Sequence, residues 1–277
     1  MITVRHQKWT YCAPQSWQEC TFNDWQNLLP FSRIQASESN AVQQLACQYW
    51  LGVPTKQWRK WQLMPHEWEA LQKQFAWVFE KPTTKPLEFV ECGTLRLLLP
   101  DDTFANSKAI DVAMSFIHFT DFTKNDFQPE ALDLLVATLC RPARADLAAF
   151  QKSKDYDGDF REPYNEVRVQ AIAQKISAIP LETKVIILDY FERMSADFLE
   201  TYGELFGSDN KEPRYKDGRG WIMMLKNIAK EGHFGSFEQV CNQPVHLVFA
   251  SALDDVLTME TNKEATNSEN NNEHDNY

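Results

Sequence analysis

The stretch Pro180–Phe206, PLETKVIILDYFERMSADFLETYGELF, decides the fold class. Leu181, Val185, Leu188, Phe191, Phe198, Tyr202 and Leu205 recur at three- and four-residue steps, which places them on one stripe of a long amphipathic helix. Glu182, Asp189, Glu192, Arg193 and Glu200 fall largely off that stripe. Asp189–Arg193 and Arg193–Asp197 are i,i+4 pairs, each worth roughly a few tenths of a kcal/mol. Pro180 suits the first turn because it has no N–H to leave unpaired, and Gly207 is placed to end the helix. A stripe of this length needs a partner.

Partners stand on both sides. Pro163–Ile176 turns Val167, Ala171, Ile172 and Ile176 to one face, so the spacing predicts a helical hairpin over 163–206. Trp221–Lys230, a short helix opened by the Ser236/Gln239 capping box, and Val245–Met259 after Pro244 pack against it. Ile110–Phe122 and Pro129–Cys140 add two more apolar helices. Nearer the N-terminus, helices begin at Thr21, at Ser37 or Ser39, and at Pro65. Two alternating segments, Ile2–Tyr11 and Leu87–Leu99, read as short β-hairpins, and the sequence leaves open whether they share a sheet. The predicted class is α+β and predominantly α-helical, with two short N-terminal hairpins and a helical bundle. The expected divisions are 1–100, with the hairpins and the Trp-rich helices, a helical part over 101–259, and a disordered acidic tail over 260–277.

The chain of 277 residues is 43% apolar and 13% aromatic, enough for a sizeable core. Its net charge of −11 includes −4 between Glu260 and Tyr277. Without a basic cluster it is a poor match for nucleic acid or for an anionic membrane surface. Cys12, Cys20, Cys47, Cys92, Cys140 and Cys241 are scattered with no C-x-x-C pair, so neither a zinc framework nor a disulfide scaffold is expected. There is no signal-peptide pattern and no apolar run of membrane-spanning length, and a soluble, cytoplasmic protein is the expectation.

The densest cluster of chemical groups is KDYDGDFREPYNE. Asp155, Asp157, Asp159 and Glu166 stand at positions 1, 3, 5 and 12, the spacing of side-chain ligands in an EF-hand loop. Position 6, which needs glycine for the sharp turn, is Phe160, and Pro163 interrupts the loop. An acidic solvated loop leading into a helix is therefore the favoured reading, and a metal-dependent hydrolase using Asp155–Glu166 is the rival. The histidines at 6, 66, 118, 233, 246 and 274 show no H-x-x-x-H spacing, and His118 sits between Phe116 and Phe119 as a core histidine would. No nucleophile elbow, P-loop or dinucleotide fingerprint occurs. The tryptophans between Trp9 and Trp77 mostly keep helical spacing and read as core, with Trp58 and Trp61 expected to be exposed. No catalytic, cofactor-binding or metal residue is assigned, and no cofactor is expected.

Several short motifs share a pattern with a known class of proteins. Pro14–Thr21 carries P-x-S-W-x-E-x-T, with Cys20 where that pattern has Leu, and Leu51-Gly52-Val53-Pro54 is a "tGiP"-like step. Val136–Pro142 (VATLCRP), Tyr156-Asp157, the FREPY run at 160–164, and W-x-x-x-L-x-x-x-A at Trp221–Ala229 before Gly232 and Phe234 follow in order. Together they resemble structural and assembly proteins of tailed phages and prophages of Bacteroidetes-type hosts. The resemblance spans most of residues 9–250 through short, degenerate motifs. It implies a non-enzymatic protein that works through protein–protein contacts in the host cytoplasm, as a tail assembly chaperone acting on the tape-measure protein does. It brings no catalytic residue with it.

Overall fold

The computed structural model describes residues 1–35, 39–124, 126–206 and 215–274, and for residues 260 and 262–274 the backbone alone. The architecture is α+β and dominated by helices, with two small antiparallel sheets. The chain forms two compact units, Met1–Glu88 with Pro180–Tyr190, and Phe89–Ile179 with Phe191–Tyr277.

In the first unit, β1 (Ile2–His6) pairs antiparallel with β2 (Trp9–Ala13), with Ile2 opposite Ala13 and His6 opposite Trp9. α1 (Phe22–Leu28) opens on a capping box: the Thr21 hydroxyl accepts from the Asp24 N–H, and the Asp24 carboxylate accepts from the Thr21 N–H at 2.8 Å. α2 (Asn40–Leu51) is capped by Ser39, which accepts from the Val42 N–H at 3.1 Å, and it ends at Gly52 in the left-handed region (φ 64°). The alternative cap, Ser37, lies outside the described residues, as does Gly207. α3 (Thr55–Trp58) and α4 (Pro65–Phe75) follow. Trp17, Trp25, Leu28, Trp50, Phe75, Val78 and Ile186 form the core. Two of the indoles are anchored through their N–H groups: Trp50 Nε1 donates to the Pro14 carbonyl at 2.7 Å and Trp17 Nε1 to that of Glu80 at 3.1 Å. Trp58 and Trp61, expected to be exposed, are half-buried. Their centroids lie 5.0 Å apart, and Trp61 stacks on His6 at 4.2 Å, so the rings cover one another although Lys56, Arg59 and Lys60 stand beside them in the sequence.

The second unit contains the other hairpin, β3 (Phe89–Cys92) and β4 (Leu95–Leu98), turning at Gly93 (φ 61°). The free edge of β4 takes β5 (Arg141–Pro142), Leu98 opposite Arg141, so the two hairpins lie in separate sheets. The division expected near residue 100 falls at Glu88 for this reason, since the hairpin is completed by a strand far downstream. α5 (Ala109–Lys124) packs on α6 (Pro129–Leu139). After the short α7 (Leu147–Phe150), α8 (Glu166–Ile176) packs on α6 as well.

The long helix is α9 (Leu181–Thr201), whose residues to Tyr190 belong to the first unit and from Phe191 to the second. Its buried face follows the expected stripe at Phe191, Phe198 and Tyr202 and departs from it in the first turns. Leu181 and Val185 are exposed, while Ile186, Ile187, Tyr190, Phe191, Met194, Phe198 and Tyr202 are buried. Residues 185–188 are all apolar, so the period is ambiguous there and Leu181 set the wrong phase. Asp189, placed off the stripe by that reading, is buried and accepts from Arg33 at 2.8 Å. α10 (Gly220–Glu231), α11 (Phe237–Cys241) and α12 (Val245–His274) complete the unit. Trp221 stacks on Phe116 at 4.0 Å, and Phe198 meets Phe249 edge-on at 4.9 Å, which joins α5, α9, α10 and α12 through aromatic contacts. The tail expected to be disordered from 260 instead continues α12 to His274. No Gly or Pro follows Pro244 to break the helix, and residues 275–277 lie outside the described set. Among the described residues no helix is long and apolar enough to cross a membrane.

Trp50→Ala leaves a large void and an orphaned Pro14 carbonyl. It is expected to lower stability in urea unfolding by about 3–5 kcal/mol. Trp9→Ala, at a ring 47% exposed, stays within about 0.5 kcal/mol of the parent.

Candidate functional site

The acidic loop singled out in the sequence is taken up by arginines. Asp111, at the start of α5, faces Arg141 bidentately, with Nη1–Oδ1 at 2.7 Å and Nη2–Oδ2 at 2.8 Å. The same Nη2 donates to Asp159 Oδ2 at 3.2 Å. Arg161 folds back on Asp159, with Nε donating to Oδ1 at 2.8 Å and its own N–H to the same oxygen at 2.9 Å. The rest of the Arg161 fork is satisfied by the Leu139 carbonyl at 2.9 Å and Ser107 Oγ at 3.2 Å. All four charged residues are at most 5% exposed. Around them, residues 159–162 run beside 141–144 like an added strand: Glu162 N–H donates to the Pro142 carbonyl at 2.8 Å and Arg144 N–H to that of Phe160 at 2.9 Å.

Asp157 pairs with Lys108, Asp155 is exposed, and Glu166 is an exposed residue in the first turn of α8. The EF-hand spacing therefore does not gather its four carboxylates round one point. The FREP run explains why: the residue after Phe160 is Arg161, a cation supplied by the chain itself. Burial alone pushes the Asp111 carboxyl up, but Arg141, Arg161 and the Lys108 N–H outweigh burial and hold it below its ordinary value. Tyr164 beside this network is pushed up to about 12, chiefly by burial, and remains a neutral phenol.

Burial lowers His118, which stays neutral, against the opposing pull of Asp121 and Glu166. Burial pushes the Cys47 thiol up to about 12, and burial with Asp24 and Glu19 does the same for Cys20, so neither is an activated nucleophile. His246 ties three elements: its Nε2 meets the Thr103 carbonyl at 2.7 Å and its Nδ1 the Tyr202 hydroxyl at 2.9 Å. The carbonyl can only accept, so Nε2 carries the proton and Tyr202 donates to Nδ1.

Sequence spacing gave no sign of a second feature of the same unit, an open cleft of about 610 Å³ between α10 and α12. Leu205, Met223, Met224, Ile228, Val256 and Met259 give it apolar walls, and Lys226, Lys230, Glu231 and Asp255 stand among them. The W-x-x-x-L-x-x-x-A motif explains the orientation of α10. Trp221 and Leu225 turn inward, which leaves Met223 and Met224 half-buried along the cleft. Comparison of the chain with protein-family models, curated proteins and solved structures finds no match.

The depressed Asp111 value fixes the sign of its pH effect. Its contribution to stability is complete above the ordinary aspartate value near ~4 and is lost as pH falls through the lower native value. Asp111→Asn leaves Arg141 without its bidentate partner and is expected to cost about 3–5 kcal/mol at neutral pH in urea unfolding. Below about pH 4 the variant should lose stability less steeply than the parent. Equal slopes in acid would show that this carboxylate is not the group being protonated.

Proposed function

We propose that this protein is a non-enzymatic assembly factor of the phage or prophage kind, acting in the host cytoplasm by holding another protein. The observation that carries the reading is the Met-lined cleft between α10 and α12. An unbranched thioether side chain adapts to different apolar partners, and methionine is over-used on surfaces that receive helices. An amphipathic helix presenting residues at i, i+3 and i+4 is the occupant such a groove takes, which suits a long helical tail protein of the tape-measure class.

Two further points support it. The motif that most nearly matches assembly proteins near the C-terminal end, Trp221–Ala229, is on α10, the helix that forms one wall of the cleft. The carboxylates that a metal-dependent hydrolase would use are engaged elsewhere, Asp157 by Lys108 and Asp159 by Arg141 and Arg161. A Lewis-acid centre would have to displace these cations from a buried site, against their own desolvation.

The test is an affinity pull-down from cells producing the whole gene cluster, comparing the parent with Met223→Glu/Met224→Glu. The parent is expected to retain a long helical tail protein and the variant to lose at least about tenfold of it, because two buried carboxylates in the interface cost more than 1.4 kcal/mol. Retention of no tail component by the parent would overturn the reading.

A further inference from the structure

Glu231, His233 and Asp255 each bring one ligand atom to a common point, all within 4.8 Å of one another. They come from different elements. Glu231 is the last residue of α10, Asp255 lies on α12, and His233 sits in the loop between Gly232 and Gly235. Both glycines adopt left-handed backbone (φ 85° and 84°), a conformation that costs other residues about 1 kcal/mol or more, and they turn the imidazole toward α12. His233 Nε2 stands 3.5 Å from Asp255 Oδ2. That is beyond the usual N–H···O range. It is close to the ~3.4 Å edge of a tetrahedron whose centre lies ~2.1 Å from both donors.

Glu231 adds an independent point. A carboxylate on the final residue of a helix faces the negative end of the dipole, where a cation is the favoured neighbour. Glu231 makes no hydrogen bond or ion pair among the described residues, and the nearby acceptor is a second carboxylate. A bound cation resolves both conflicts at once.

We propose that Glu231, His233 and Asp255 bind a divalent transition-metal ion of the zinc class, which fastens the end of α10 to α12. The donor set selects the ion. One imidazole and two carboxylates suit Zn²⁺, with solvent in the fourth position, whereas Mg²⁺ and Ca²⁺ prefer oxygen alone and more of it. Glu231 and Asp255 both line the cleft, so the ion cross-links its two walls. The inference stands on these three side chains and not on what the cleft receives.

Calorimetric titration of ZnCl₂ into tag-free, chelator-treated full-length protein tests it, with His233→Ala and Asp255→Asn in parallel. The parent is expected to bind one Zn²⁺ per chain, each variant at least about tenfold more weakly, and MgCl₂ to give no saturable heat. All three ligands are on the surface, so both variants should melt within a degree or two of the metal-free parent, and Zn²⁺ should raise the melting temperature of the parent alone. The proposal is overturned if the parent binds no Zn²⁺ stoichiometrically, or if both variants bind it as tightly as the parent.

Discussion

Two aspartates and two arginines share the interior of the second unit, and each charge is tolerable there only because of the others. An isolated ion in that environment costs several kcal/mol, and removing one member leaves its partner uncompensated. Geometry makes the set acceptable. Arg141 is bidentate to Asp111 and reaches Asp159, while Arg161 closes on Asp159 from the other side. The network joins segments far apart in the chain: the start of α5, the strand β5, and the extended run at 159–161. That run is what turns an apparently open acidic loop into an edge of the small sheet.

Apolar packing supplies the rest, with aromatic rings set among a larger number of aliphatic side chains. In the first unit Trp17, Trp25 and Trp50 are buried with their N–H groups matched where the geometry allows, which restricts how the surrounding loops run. In the second, Phe104, Phe116, Phe198, Trp221 and Phe249 interlock. With α10 held by Trp221 and Leu225, its methionines are left at the surface facing α12. The cleft is thus a consequence of where the core residues fall on one helix.

Much of the fold was legible in the sequence because its signals are local. The capping boxes at Thr21–Asp24 and Ser236–Gln239, the left-handed Gly52 and Gly93, and the proline at the head of α4 each act within a few residues. The misreadings come from long-range effects. The phase of α9 failed where four apolar residues in a row carry no periodicity. The second hairpin forms where the alternation placed it, but its third strand, β5, was not legible because it is some forty residues away. The acidic loop resembled a cation site by spacing alone, and only the fold shows that Arg141 and Arg161 already occupy the role of the cation. The Glu231–His233–Asp255 convergence was invisible for the same reason: Asp255 is brought to the loop by helix packing, not by sequence proximity.

Lys108, Arg141 and Arg161 hold Asp157 and Asp159, so the segment 155–166 needs no bound ion to keep its course. Amide hydrogen exchange of this segment, with chelator and then with added Ca²⁺ or Mg²⁺, tests it most directly. The amides of Asp159, Arg161 and Glu162, each hydrogen-bonded in the structure, are expected to exchange slowly in chelator and not to change when either ion is added. Fast exchange in chelator that becomes slow with the ion would contradict it.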